Sequence, residues 1–169
     1  MPEILERRPS AALSTLPGAA VLLRTRRLLI GALIAAFAYT ALGVGSRSYC
    51  PGGFTGNGGF LDASGQPTDV APQCLTLTLQ PGGIVYAAIT IIVLAAITRV
   101  LRSAASEAAA MRTLDRAAVA IIIVVVAWTL VTQVSFFTIP LDGWDGTEPF
   151  FFPFVFGNVH VEVTPLSNG

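Results

Sequence analysis

The chain reads as a membrane all-α bundle of three transmembrane helices, N-terminus in and C-terminus out, with a small extracytoplasmic β-containing region closed by a disulfide. Three observations predict this. Apolar residues make up 53% of the 169 positions and charged residues only 12%, about half the charged share of an ordinary soluble domain. The apolar residues gather in three blocks instead of recurring at a helical or strand period. The positive charges, all of them arginine, are segregated between those blocks.

The blocks are 28–45 (LLIGALIAAFAYTALGVG), 83–101 (GIVYAAITIIVLAAITRVL) and 117–139 (AAVAIIIVVVAWTLVTQVSFFTI). Each has about the 17–25 residues that a helix needs to cross a bilayer core. The β-branched run IIIVVV would suit a buried strand, but strands seldom exceed about eight residues and this uncharged stretch continues well past that. In lipid a lone segment must satisfy its own backbone hydrogen bonds, which selects helix.

Direction follows from the arginines. Arg7, Arg8, Arg24, Arg26 and Arg27 precede the first block, and Arg102, Arg112 and Arg116 lie between the second and third. Arg47 alone lies in the first connection, and the tail has none. Arginine prefers the cytoplasmic side. Segments 1–27 and 102–116 are therefore expected inside a cell membrane, with 46–82 and 140–169 outside. The proline-bearing segment 1–27 is expected to be partly disordered. The alanine-rich 102–116 is expected to prolong the second helix and turn, with Arg112 and Asp115 paired at i, i+3.

No ionisable residue falls in the middle of a block, which argues against a proton relay or voltage sensor built by this chain alone. Small residues at i, i+4, namely Gly31 with Ala35, Ala32 with Ala36 and Ala41 with Gly45, are candidates for close helix packing. Thr129, Thr132 and Gln133 share one face of the third block. Gln133 is costly to leave in lipid and is expected to bond between helices, with Tyr39, Thr40, Tyr86 and Thr90 as candidate partners.

The two cysteines, Cys50 and Cys74, both fall in the first outer connection, where an oxidising exterior favours their pairing. Closing that loop stabilises the folded form by roughly 3 kcal/mol on the chain-entropy model. Leu75–Leu79 (LTLTL) and Val159–Thr164 (VHVEVT) alternate with period two, as half-buried strands do. Pairing them sets Leu75, Leu77 and Leu79 beside Val159, Val161 and Val163. An isolated hairpin is marginal, so a third strand, the membrane or a partner is needed. Phe150, Phe151, Phe152, Phe154 and Phe156, with Trp144 just before them, form the densest aromatic cluster. Burial at the outer membrane interface or in a partner's groove is expected for it, with the outer domain's own core as the third alternative.

Motifs for chemistry are weak. GGFTGNGG misses the dinucleotide spacing, and the absence of lysine rules out a Walker loop. Asp62, Ser64 and Asp69 offer hard oxygens for Ca²⁺ but lack the EF-hand order. His160 and Glu162 would share a strand face, two ligands short of a zinc site. No catalytic residue, metal, cofactor or nucleic-acid partner is expected. The expected partners are the bilayer and either a membrane protein or a second copy. The leading expectation is a non-enzymatic accessory or assembly subunit of a larger membrane complex. Its alternatives are a homo-oligomeric pore or transporter component and an envelope sensor acting through a separate effector.

Overall fold

The computed structural model describes residues 18–103 and 106–166. They form three helices and two small sheets. In chain order these are α1 (Ala19–Leu42), β1 (Gly45–Tyr49), β2 (Gly53–Phe54), β3 (Phe60–Leu61), β4 (Pro67–Thr68), β5 (Gln73–Gln80), α2 (Gly83–Ser103), α3 (Glu107–Phe137) and β6 (Asn158–Pro165).

α1 starts nine residues before the apolar block, so 19–27 is helical where partial disorder is expected; residues 1–17 lie outside the described residues. It also stops earlier than the block, at Leu42 instead of 45. Gly43 donates its N–H to the Tyr39 carbonyl at 2.8 Å. A Cβ at Gly43 would lie 2.7 Å from that same oxygen, so only glycine fits this turn. Gly45 then pairs with Leu79 as the first residue of a strand.

The connection between α2 and α3 also departs from expectation. Residues 107–116 belong to α3 and do not prolong α2. Ser106 caps α3, its Oγ accepting from the Ala109 N–H at 3.3 Å, and Glu107 in the first turn complements the helix dipole. That cap restarts the helix despite the run of alanines. Arg112 is exposed, and Asp115 pairs with Arg24 of α1 instead, Nε and Nη2 each reaching a carboxylate oxygen at 2.6 Å. This hydrogen bond, with the charge behind it, holds the Asp115 carboxyl below its usual range.

Among the described residues, two helices are long and apolar enough to cross a membrane by length and composition: Gly83–Arg102 and Glu107–Phe137, with 22% of each apolar window buried. α1, which carries Arg24, Arg26 and Arg27, is not one of the two. The three helices bury one shared stripe, including Leu28, Ala32, Tyr39, Val85, Ile89 and Ile121. Their other faces remain apolar and open, as at Leu33, Phe37, Ile91, Ile123 and Leu130.

The larger sheet has the order β1-β5-β6, all antiparallel. β5 is central, so Leu75, Leu77 and Leu79 have neighbours on both sides and are fully buried. Val163, Val161 and Val159 of β6 stand opposite them, and β1 is the third strand. The leucine face packs on Phe136 at the end of α3 and on Ile139, Leu141 and Trp144 just beyond it. The excursion from Pro51 to Pro72 folds into the smaller sheet, β2-β3-β4, which the sequence pattern does not announce. The Cys50–Cys74 disulfide closes its base, with the Cα atoms 4.2 Å apart.

Candidate interaction site at the helix–sheet junction

The last turns of α3 carry the buried Thr132 and the half-buried Trp128 and Gln133. Trp128, Thr132 and Phe136 recur every four residues and therefore stack on one face. The Trp128 indole N–H and the Thr132 hydroxyl both donate to the Phe156 carbonyl, at 3.0 and 3.3 Å. Two donors on one oxygen pin the chain after the Phe-rich stretch against the helix. The Trp128 and Phe156 rings also meet edge-on, 6.1 Å between centroids.

Gln133 is one residue round the helix. Its amide nitrogen donates to the Leu42 carbonyl at 2.6 Å and the Val44 carbonyl at 3.2 Å. It therefore ties α3 to the orphan carbonyls where α1 ends. Its Oε1 is buried without a hydrogen-bond partner. Tyr39, Thr40, Tyr86 and Thr90 do not contact it as donors or acceptors. The Tyr39 hydroxyl accepts from the Gly82 N–H at 3.1 Å, and Thr40 and Tyr86 share a bond of 2.6 Å. Thr90 donates to the Tyr86 carbonyl one turn back, and Thr129 likewise bonds its own helix at Val125.

Arg47, on β1, donates through one Nη to the carbonyls of Phe136, Phe137 and Ile139 at 3.2, 2.9 and 3.0 Å. A cation at a helix C-terminus meets both the exposed carbonyls and the negative dipole end. The helix end, the sheet and the α1 terminus are thus joined by three side chains: Arg47, Gln133 and Trp128.

The aromatic cluster divides in two. Phe150 and Phe154 pack into the sheet–helix core, and Phe154 stacks edge-on with both Phe136 and Phe156. Trp144 is also core, with its indole N–H donating to the Glu148 carbonyl at 2.7 Å. These residues lie within the protein's own core, the third of the placements expected for the cluster. The reason is that β5 and β6 cover one end of α3 and need large side chains to fill the gap. Phe151 and Phe152 point outward instead, with Val155 beside them; Phe151 is 86% exposed and Val155 79%.

The helix-packing candidates also separate. Ala32 is buried in the three-helix core and Ala35 packs against it. Gly31 faces open space, with nothing within 4 Å of where its Cβ would be.

Asp62 serves a turn. Its Oδ1 accepts from the Ser64 hydroxyl, the Ser64 N–H and the Gln66 N–H at 2.7–2.9 Å. The Ser64 hydroxyl and the Gln66 amide hold its carboxyl below the ordinary value of 3.8. Asp69 is exposed and outside that turn, and His160 and Glu162 are exposed on β6. No group of three or more His, Cys, Asp or Glu able to hold a metal occurs among the described residues.

Arg47 and Trp128 escape the sequence reading. The signal for Trp128 was its i, i+4 spacing to Thr132. Arg47 offered only its isolation as the lone arginine of its segment.

The chain matches no protein-family model, no curated protein and no solved structure.

Proposed function

We propose that the chain is a three-span membrane protein, N-terminus inside and sheet outside, that works without catalysis as an accessory subunit of a larger membrane complex. The observation that carries this is the outward pair Phe151 and Phe152 with Val155, on a segment whose end at Phe156 is anchored to α3 by two hydrogen bonds. Phe154 and Phe156 fix it to α3, so these side chains are presented on a rigid support. A water-soluble monomer seldom leaves a contiguous apolar patch larger than a few hundred Å² exposed. Here Phe151, Phe152 and Val155 are exposed on a chain whose helices also expose many large apolar side chains.

Two features support placing those helices in lipid. Thr25, Thr40, Thr90, Thr113 and Thr129 all return their hydroxyls to the carbonyl four residues back. A hydroxyl satisfied within its own helix needs no water. The arginines of the described helices also cluster at the end away from the sheet, at 24–27 and 99–116, as the positive-inside rule asks.

Four of the polar side chains are committed to structure. Asp62 builds a turn, Asp115 holds Arg24, and Gln133 and Thr132 bond backbone carbonyls. With its amide nitrogen so engaged, Gln133 is poorly placed to line a pore.

A photoreactive residue at Phe151, introduced in the native membrane, tests the docking reading. A discrete protein adduct that disappears with Val155→Asp is the expected result. Adducts to lipid alone, in every growth condition, would count against a partner.

A further inference from the structure

β6 is an edge strand: β5 lies on one side of it, and no described strand pairs with the other side. The ladder decides which backbone groups face that open side. Leu166 donates its N–H to the Pro72 carbonyl at 2.8 Å, one step beyond the paired Gln73 and Pro165. Opposed residues in an antiparallel ladder alternate between exchanging hydrogen bonds and not. The bonded pairs are therefore Cys74 with Thr164, Thr76 with Glu162 and Thr78 with His160. Val159, Val161 and Val163 lie between them and turn their N–H and C=O groups away from β5. Among the described residues, no other backbone group bonds to them. Pro165 has the same parity and, lacking an N–H, ends the row. β1, the opposite edge, turns only Ser46 and Ser48 outward by the same alternation.

A row of unpaired backbone groups is a template for another strand. We infer that its occupant is β6 of a second copy, paired antiparallel about a two-fold axis at Val161. Strands joined through these groups must set outward residues opposite one another. With the axis at Val161, that residue meets its own counterpart, and Val159 meets Val163 of the other copy. All three valines are then bonded, and the missing N–H of Pro165 is not called on.

The side chains select the same register. His160 and Glu162 are exposed on β6, and this axis sets His160 opposite Glu162 of the other copy, on both sides of the two-fold. A shift of the axis to His160 would oppose two histidines, and a shift to Glu162 would oppose two carboxylates, which is destabilising. Val163 stands opposite Leu75 on the leucine face and is 43% exposed. In the pair it gains Val159 of the other copy as a neighbour, so the apolar row runs on across the axis. The pairing uses only the sheet and does not depend on the accessory role or on the bilayer.

The test uses the full-length chain in mild detergent, with the dimer fraction read by native mass spectrometry over a dilution series. The wild type is expected to dimerise. Val163→Pro removes an outward N–H twice per dimer and spares the bonds to β5, so it should weaken dimerisation about tenfold or more. His160→Glu should weaken it by opposing carboxylates, and adding Glu162→His should restore it, both positions being exposed and neutral to the fold. Mixing differently tagged copies, one with His160→Cys and one with Glu162→Cys, should give a mixed disulfide in higher yield than either copy gives alone. The native cysteines are already bonded to each other and do not compete. A monomeric wild type, a dimer indifferent to Val163→Pro, or a swap that fails to restore dimerisation would each overturn the edge pairing. A dimer lost with Val155→Asp but intact with Val163→Pro would also overturn it, placing self-association on the Phe-rich segment.

Discussion

Arg47 sits on a five-residue edge strand, yet its guanidinium terminates a 31-residue helix. Three carbonyls share one Nη, so removing it strips charged donors from a helix end packed beneath the sheet. Arg47→Met is expected to lower unfolding stability by about 2 kcal/mol, within the range for hydrogen bonds to charged groups. Denaturant unfolding in detergent measures it. Trp128→Phe keeps the ring against Phe156 but deletes the N–H, leaving Thr132 as the only donor to that carbonyl. A loss near 1 kcal/mol is expected, with faster proteolytic cleavage between Phe150 and Phe156. Neither role was legible beforehand, because both depend on which carbonyl the chain brings near a side chain distant in sequence. Cys50 and Cys74 were legible, since no other cysteine competes for either.

The β1–β5–β6 sheet and the disulfide-closed excursion behave as separate elements that share a base. Gly52 lies at that base with φ +132°, and a Cβ there would meet the Leu61 carbonyl at 2.4 Å. Gly52→Ala is expected to cost at least 1–3 kcal/mol, roughly the penalty of a strained backbone position. Amide exchange should rise in β2–β4 before it rises in β5. Cys50→Ser with Cys74→Ser releases the same base, with an expected loss of about 3 kcal/mol and early protease cutting within 53–72. At the tip, Asp62 has a folded pKa below its ordinary value. Its contribution is therefore complete above the unfolded pKa and is lost as pH falls through the folded one. Ser64 and Gln66 amide exchange should accelerate in that acidic window, while Asp62→Ala should show fast exchange at every pH. The alternation of leucine and threonine was enough to see β5, because half-burial imposes period two on a strand. The two-residue strands β2, β3 and β4 were not visible, since no period can be read from two residues.

Across the whole molecule, the sheet and the arginine-rich ends of the helices lie at opposite poles, and the three-span reading turns that polarity into a topology. A cysteine at Thr147 should react with a membrane-impermeant maleimide in intact cells, and one at Arg112 only after permeabilisation. Reversed labelling would overturn the orientation. The native cysteines are bonded to each other and leave the assay clear. Hydropathy and charge segregation carried the helical blocks and the disulfide-closed loop between the first two, because both are summed over many residues and need no knowledge of neighbours. The limits of α1 and α3, the division of the phenylalanines into core and surface, and the Arg24–Asp115 pair were decided only in three dimensions. A glycine turn at residue 43, a serine cap at residue 106 and a sheet folded over the end of α3 set them, each acting through contacts between segments far apart in the chain. The sequence alone thus determined what kind of surfaces the protein has, and the tertiary structure decided which side chains remain on them.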